Sequence, residues 1–535
     1  MAMRVLISDD LSPEARAILE RIPGAQVDVR VGLKPQELRE IIGGYDALAV
    51  RSATKVTKEV LDSAQKLRVI GRAGTGVDNI DLGAASRRGV VVMNAPGGNS
   101  VSVAEHTVAL LLALARQIAD ASQSTRGGKW EKKKFASGRE LMGKTLGVIG
   151  TGNIGALVVR RAQAFGMKVL GYDPFLGAEA AQKLGIELVD LADIWKRSDA
   201  VTLHVPLTEQ TKNMVSAPQL AQMKPGALLV NCARGGLIDE KALADALQAG
   251  KLGGAALDVF DQEPPPADHP LFSCPNFIGT PHLGGSTEDA QQNVATIVCE
   301  AMVDYLTTGT IRNAVNVPSV SGEVLERLGP FLRLCEKMGA LSGQLALEGQ
   351  TSTAPEQIEI AYAGEVAEEP TAPLTAAVLK GVLGTFLAEP VNEVSAPALA
   401  KERGLSVTQS RSNETPDFAS LVTVRLRSKP GMTEVAGTII GKREPRIVRV
   451  NEFEVEAAPQ GTLLVMVNHD KPGVIGNVGR TLGEAQVNIA QFALARVAET
   501  GRALALVNID GTATPDTLEK LRKLPHVLEV RQVVL

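Results

Sequence analysis

Cysteine is scarce in this chain of 535 residues, and the four present are Cys232, Cys274, Cys299 and Cys335. They have neither C-x-x-C spacing nor the density of a disulfide framework, which excludes a small disulfide-stapled fold and leaves no metal motif to expect. Long apolar runs are missing too. The longest, TVALLLALA, is too short to span a bilayer and reads as one buried helix, so no membrane partner is expected. An excess of one charge is also lacking: the formal net charge is -4, which offers nothing to a nucleic acid. The chain opens MAMRVLISDD, already strand-like, with neither a charged n-region nor an apolar h-region. A reduced, cytoplasmic protein is expected, although a mature organellar form stripped of its transit peptide would read the same way.

What is present is length and pattern. A single core does not grow to this size, and roughly three or four domains are expected. Up to about residue 95, β-rich runs (RVLISD, QVDVRVG, ALAVRS, LRVIGRAG, GVVVMNAP) alternate with helical patterns, which implies a parallel sheet with helices on its faces. A long helix, SVSVAEHTVALLLALARQIADA, follows, and the alternation resumes from KTLGVIGTGNIG to about residue 284. Another helix runs back over about 287–309. The expected architecture is α/β: a Rossmann-type domain (98–286) inserted into a flavodoxin-like domain (1–97 and 287–317). An α+β domain over 318–453 follows, without a chemical motif, and 460–535 reads as a βαββαβ, ferredoxin-like unit.

Three stretches carry chemistry. GVIGTGNIG places Gly150, Gly152 and Gly155 as G-x-G-x-x-G after a strand, with Asn153 and Ile154 opening a helix. These glycines permit the tight turn, the close approach of a pyrophosphate and close helix–strand packing. About twenty residues on, Asp173 ends the strand VLGYDP. A carboxylate there accepts from ribose hydroxyls and repels a 2′-phosphate, so NAD is favoured over NADP, the plainer reading being a cap or turn residue. In VNCARGGLIDE a strand ends in Arg234, an expensive position for a guanidinium unless an anion meets it. Of six histidines, His282 in TPHLGG has the setting of a general acid/base, and Glu263 in ALDVFDQEPP is its candidate partner or a plain loop residue. His106 reads as packed or capping.

GTGNIG, NCARGGLIDE, ALDVFDQEPP and TPHLGG, in this order and spacing, resemble the D-isomer-specific 2-hydroxyacid dehydrogenases over roughly residues 1–317. The resemblance implies that Arg234 anchors the substrate carboxylate, that His282 moves the proton and that Glu263 supports it. It also places Thr75, Cys232, Asp258, Gly284 and Gly285 about the NAD. VRSATKV, GRAGTGVDNID, APGGNSVSVAEH and the C-terminal extension resemble most the long branch acting on 3-phospho-D-glycerate. The implied reaction is NAD-dependent oxidation to 3-phosphohydroxypyruvate, the first step of L-serine synthesis, with Arg51, Ser52, Gly74 and Lys132 toward the substrate. Lys132 stands in the run GKWEKKKF, which is a solvated loop or a phosphate contact from a neighbouring subunit. The last unit resembles an ACT regulatory domain. A ferredoxin-like fold is expected to bring Asn488 close to Asn468 and Asp470, and the resemblance implies that L-serine binds there between paired domains, the alternative being strand and helix caps in an assembly element. The helix VAEHTVALLLALARQ, apolar over more than one face, pairs subunits in the family, so a homodimer or homotetramer is expected. Two other functions stay open: reduction of glyoxylate, hydroxypyruvate or another 2-oxo acid on the same scaffold, and a dinucleotide-sensing corepressor.

Overall fold

Strands covered on both faces read as unbroken apolar runs, and the two sheets of the first half are built from such runs. The computed structural model describes residues 3–318, 322–347, 355–387, 390–415, 417–428, 431–441 and 443–535. β1 (Arg4–Ile7), β2 (Gln26–Val29), β3 (Ala47–Val50), β4 (Val69–Arg72) and β5 (Val91–Met93) form a parallel sheet in the order β2-β1-β3-β4-β5. Every residue of β3 and β5 is buried. This is the flavodoxin-like order.

The second sheet is parallel and seven-stranded. It comprises β6 (Thr145–Ile149), β7 (Lys168–Tyr172), β8 (Glu187–Leu188), β9 (Ala200–Leu203), β10 (Ala227–Asn231), β11 (Leu252–Leu257) and β12 (Phe277–Gly279). Its order is β12-β11-β10-β9-β6-β7-β8, so the strand order reverses between β6 and β9, where a doubly wound sheet takes its dinucleotide. The first domain is completed from afar. The helix Glu288–Thr308 lays Val294, Val298, Met302 and Leu306 on the first sheet, and Val92 N–H then donates to Asn316 Oδ1 at 2.9 Å. A Cβ at Gly71 in β4 would strike the Met302 thioether.

The other connecting helix is shorter than expected. It covers Ser100–Ala115; Gln117 then takes a left-handed φ of 52°, and a second helix, Ile118–Arg126, leaves at 66°. The apolar periodicity stops at Ala115, and the second helix buries none of its side chains. Among the described residues no single helix is long and apolar enough to cross a membrane.

The third sheet holds β13 (Gln357–Gly364), β14 (Ser406–Ser412), β15 (Ser420–Ser428), β16 (Gly431–Ile440), β17 (Glu444–Val450) and β18 (Phe453–Ala457) in the order β14-β13-β15-β16-β17-β18. β13 alternates half-buried and buried residues, the period-two signature of a sheet with one covered face. The last unit, β19 (Thr462–His469), helix Val474–Glu484, β20 (Ile489–Val497), β21 (Arg502–Ile509), helix Pro515–Arg522 and β22 (Val527–Val534), is βαββαβ with order β20-β21-β19-β22. One face of its sheet packs on its own helices. The other contributes Leu463, Val465, Leu504 and Leu506 to the core that contains Phe453 and Val455.

That topology corrects one expectation. β19 and β20 both run antiparallel to β21, so they start at the same end of the sheet. Asn488 lies just ahead of β20, its Nδ2 donating to Asp510 Oδ2 at 2.7 Å. Asn468 pairs with Ala503 and Asp470 N–H donates to Gly501 O, at the opposite end of β21. A strand of 8 residues at about 3.3 Å each puts roughly 25 Å between the two groups. Within one chain Asn468, Asp470 and Asn488 do not share a pocket.

Candidate active site

The C-terminal ends of parallel strands are where such sheets bind ligands. At the end of β6, Gly150 has a φ of 89°, and a Cβ on Gly155 would strike the Gly150 carbonyl. The helix Asn153–Ala164 starts at Gly152 with no side-chain cap, so its first-turn amides are left for an anion. At the end of β7, Asp173 Oδ2 accepts from Thr151 N–H at 2.9 Å and Thr151 Oγ1 at 3.1 Å, while Oδ1 accepts from Phe175 N–H at 2.9 Å. The carboxylate braces the glycine turn and keeps a lone pair on Oδ1 for a ribose hydroxyl. The donor set fits NAD. Asp173→Ala is expected to lower the ratio of kcat/KM for NAD over NADP by about tenfold, the worth of one charge-assisted hydrogen bond. A ratio that stays put assigns the choice of cofactor to another group.

The pair His282 and Glu263 sits past β11 and β12. His282 has a φ of 53°, unusual for a residue with a Cβ, and its N–H donates to Asp258 O at 2.9 Å. The buried Asp258 side chain holds the rest of the turn, accepting from Thr280 Oγ1 at 2.6 Å and from the N–H groups of Leu283 and Gly284, each at 2.8 Å. Burial pushes this carboxyl up, but bonds from His106, Thr280 and the two amides outweigh it and hold it below the usual range. His106, expected as a packed or capping residue, belongs to the support of this turn; its Nε2 lies 3.2 Å from Asp258 Oδ1. His282 Nδ1 is 2.8 Å from Glu263 Oε2, and Glu263 Oε1 accepts from Phe260 N–H at 3.1 Å. A histidine tied through Nδ1 to a carboxylate presents Nε2 to whatever lies beyond it.

Three strands then end in arginine. Arg51 follows β3, Arg72 closes β4 and Arg234 follows β10, so two come from the first sheet and one from the second. Arg234 Nε lies 3.2 Å from Asp78 Oδ2, which joins the two sheets' strand ends. A Cβ at Gly74 would run into the Arg72 guanidinium, and one at Gly76 into that of Arg234, so the turn between them must be glycine-rich. Arg72 is the strained member. Its buried Nε has no hydrogen-bond partner among the described residues. Burial lowers its pKa to about 10, with Arg234 and Arg51 pushing the same way against the opposite pull of Asp78 and Asp9. An anion would relieve this. Asp78 answers for Arg234 in part, but that carboxylate is 76% exposed and is shared with Arg72, on which it also pulls. Arg72 escapes the sequence reading, although GRAG ends its strand as AVRS does.

The remaining expected residues divide. Ser52 is exposed beside Arg51, and Gly74 has a φ of 152° in the arginine turn. Thr75 Oγ1 donates to Asn99 Oδ1 at 2.7 Å, and Gly284 O accepts from Ser102 Oγ at 2.6 Å, so both sit at the junction of the two domains. Gly285 lies against Asn99. Burial pushes the Cys232 thiol up to about 12, which leaves it inert and only its backbone free for a ligand. Lys132 is exposed, and among the described residues no hydrogen bond or ion pair ties it to the arginines. His204 is half-buried, and desolvation of its ring lowers its pKa to about 4, so it is neutral.

The family model for the D-isomer specific 2-hydroxyacid dehydrogenase NAD binding domain matches residues 108–284, that for the D-3-phosphoglycerate dehydrogenase intervening domain 327–451, and that for the ACT domain 462–526. A D-3-phosphoglycerate dehydrogenase of Methanocaldococcus jannaschii is 44% identical over 534 residues, covering 100% of both chains. One from Archaeoglobus fulgidus is 42% identical over 535 residues, again with 100% of both chains covered. Among solved structures, the apo D-lactate dehydrogenase of Escherichia coli is 29% identical with a TM-score of 0.52, covering 58% of this chain and 100% of its own. A Thermus thermophilus protein is 37% identical with a TM-score of 0.54, covering 58% of this chain and 100% of its own.

Proposed function

The chain belongs to the D-3-phosphoglycerate dehydrogenase family, and from that membership we propose which of its residues carry the reaction. The enzyme oxidises 3-phospho-D-glycerate to 3-phosphohydroxypyruvate with NAD, the first step of L-serine synthesis from that acid. Arg234 grips the substrate carboxylate through two parallel hydrogen bonds and polarises the adjacent C2–O bond. Arg51 and Arg72 take the phosphate. His282 Nε2 accepts the C2 hydroxyl proton, and Glu263 stabilises the imidazolium that forms. NAD, which the Gly150–Gly155 turn and Asp173 would hold, would supply the acceptor for the hydride that leaves C2. In reverse, His282 returns the proton.

The observation that carries this reading is the set of three strand-end arginines, with the buried Nε of Arg72 lacking a hydrogen-bond partner among the described residues. A carboxylate with a phosphate, the latter near -2, matches three guanidinium groups; a plain 2-oxo acid brings a single charge. Arg72→Leu is expected to raise KM for 3-phosphoglycerate by about tenfold or more and to leave the KM for NAD in place. An unchanged KM for the phosphorylated acid would remove Arg72 from the site.

The proposal extends to assembly and location. We divide the chain at 97, 286, 317 and 453–460 and place the enzyme in the cytoplasm as a homodimer or homotetramer. The helix Ser100–Ala115 spends most of its apolar surface within its own chain, so the support for pairing lies beside it: Ile118, Trp130 and Met142 are 53%, 85% and 76% exposed. L-serine is proposed to bind between two C-terminal units, since Asn488 joins Asn468 and Asp470 only across a pair. Light scattering at micromolar protein is expected to give at least two chains, and calorimetry a binding heat with L-serine that Asn488→Ala removes. A monomer, or no heat at millimolar serine, ends this part of the reading.

A further inference from the structure

A second carboxylate–imidazole pair holds the loop that carries Glu263, and the reaction described above uses neither member. Glu240 opens the helix Glu240–Gln248, and His269 stands just before the turn Pro270–Ser273. Their side chains are only 14% and 10% exposed. Glu240 Oε1 accepts from Asp261 N–H at 2.8 Å, and Oε2 lies 2.9 Å from His269 Nε2. His269 Nδ1 accepts from Leu271 N–H at 3.4 Å, which leaves Nε2 as the nitrogen that donates to Glu240. The ring is set edge-on to Phe260 at 5.7 Å and against Phe272 at 5.4 Å.

Asp261 and His269 bracket the segment that contains Glu263, so one half-buried carboxylate fixes both ends of it. The same clasp reaches the substrate anchor. The Phe260 carbonyl sits where a Cβ on Gly235 would be, and Asp261 lies against Gly236, the two glycines that follow Arg234. Phe260 N–H meanwhile holds Glu263 Oε1. A shift of this loop therefore moves the Glu263–His282 bond and the Arg234 turn together. Misplacement of about 1 Å can cost 100-fold in rate.

We propose that Glu240 and His269 are positioning residues for the oxidation, their bond setting the place of Glu263 and thereby of the His282 imidazole. This rests on the roles given above to His282 and Glu263. The test compares Glu240→Gln, His269→Ala, His269→Gln and Glu263→Gln in the full-length enzyme. For each, kcat, the NAD dissociation constant, and the isotope effect on kcat with 3-phosphoglycerate deuterated at C2 are measured.

Glu240→Gln and His269→Ala are expected to lose about tenfold or more in kcat, with NAD binding unchanged and a larger isotope effect as hydride transfer becomes the slow step. His269→Gln, whose amide keeps a donor for Glu240, is expected to recover most of that loss. Less active enzyme with an unchanged isotope effect, and His269→Gln no better than His269→Ala, would mean a role in folding alone and overturn the proposal. Should Glu240→Gln not fold, the two His269 variants decide. Near-normal activity in Glu263→Gln sinks the reading of the site itself. A loss there with Glu240→Gln and His269→Ala unaffected sinks only the clasp.

Discussion

Changing His282 to glutamine should lower turnover by about 100-fold or more while NAD still binds. The substrate hydroxyl has to shed a proton as the carbonyl forms, and a neutral amide near the same place is not basic enough to take it. NAD binding should survive because the groups that fit it lie along β6 and β7, while His282 follows β12. Glutamine is the right replacement. It can keep a hydrogen bond to Glu263, now 2.8 Å from His282 Nδ1, so the turn held by Asp258 stays in place. Steady-state turnover with cofactor binding by fluorescence gives both numbers. Near-normal kcat in His282→Gln would end the acid/base assignment.

Arg234→Lys should be nearly as damaging, although the charge is kept. Lysine offers a point charge where arginine offers a planar fork, so one of the two bonds to the substrate carboxylate is lost. A charge-assisted bond is worth about 1.5–3 kcal/mol, which corresponds to roughly tenfold to a hundredfold in kcat/KM. The loss should appear in KM and kcat together, because the same group polarises the reacting C–O bond. The shorter headgroup also abandons Asp78 and the surface over Gly76 that the guanidinium covers. Unchanged KM and kcat in this variant would remove Arg234 from the site.

The features legible in the sequence are those whose physics is local. Gly150-x-Gly152-x-x-Gly155 needs only a strand before it and a helix after it, and both are there. The order of β-rich and helical runs is enough to expect two parallel sheets and a terminal βαββαβ unit. What is not legible depends on which strands become neighbours. Arg72 gains meaning only when β4 stands opposite the end of β10 and brings Arg234 near. Glu240 and His269 are 29 residues apart and meet inside the protein. The sequence alone misplaces Asn488 because strand direction, which antiparallel pairing sets, decides which end of a sheet a residue occupies. The break at Gln117 is hidden by the helical propensity of the polar turns after it.

One comparison bears most directly on the assignment of this site to a phosphorylated 2-hydroxy acid: kcat/KM with NAD for 3-phospho-D-glycerate against D-glycerate, which lacks only the phosphate. Two arginine–phosphate contacts at about 1.5–3 kcal/mol each predict a preference of at least about 100-fold for the phosphorylated acid. Equal values, or faster turnover of D-glycerate, would contradict the assignment of Arg51 and Arg72 to the phosphate.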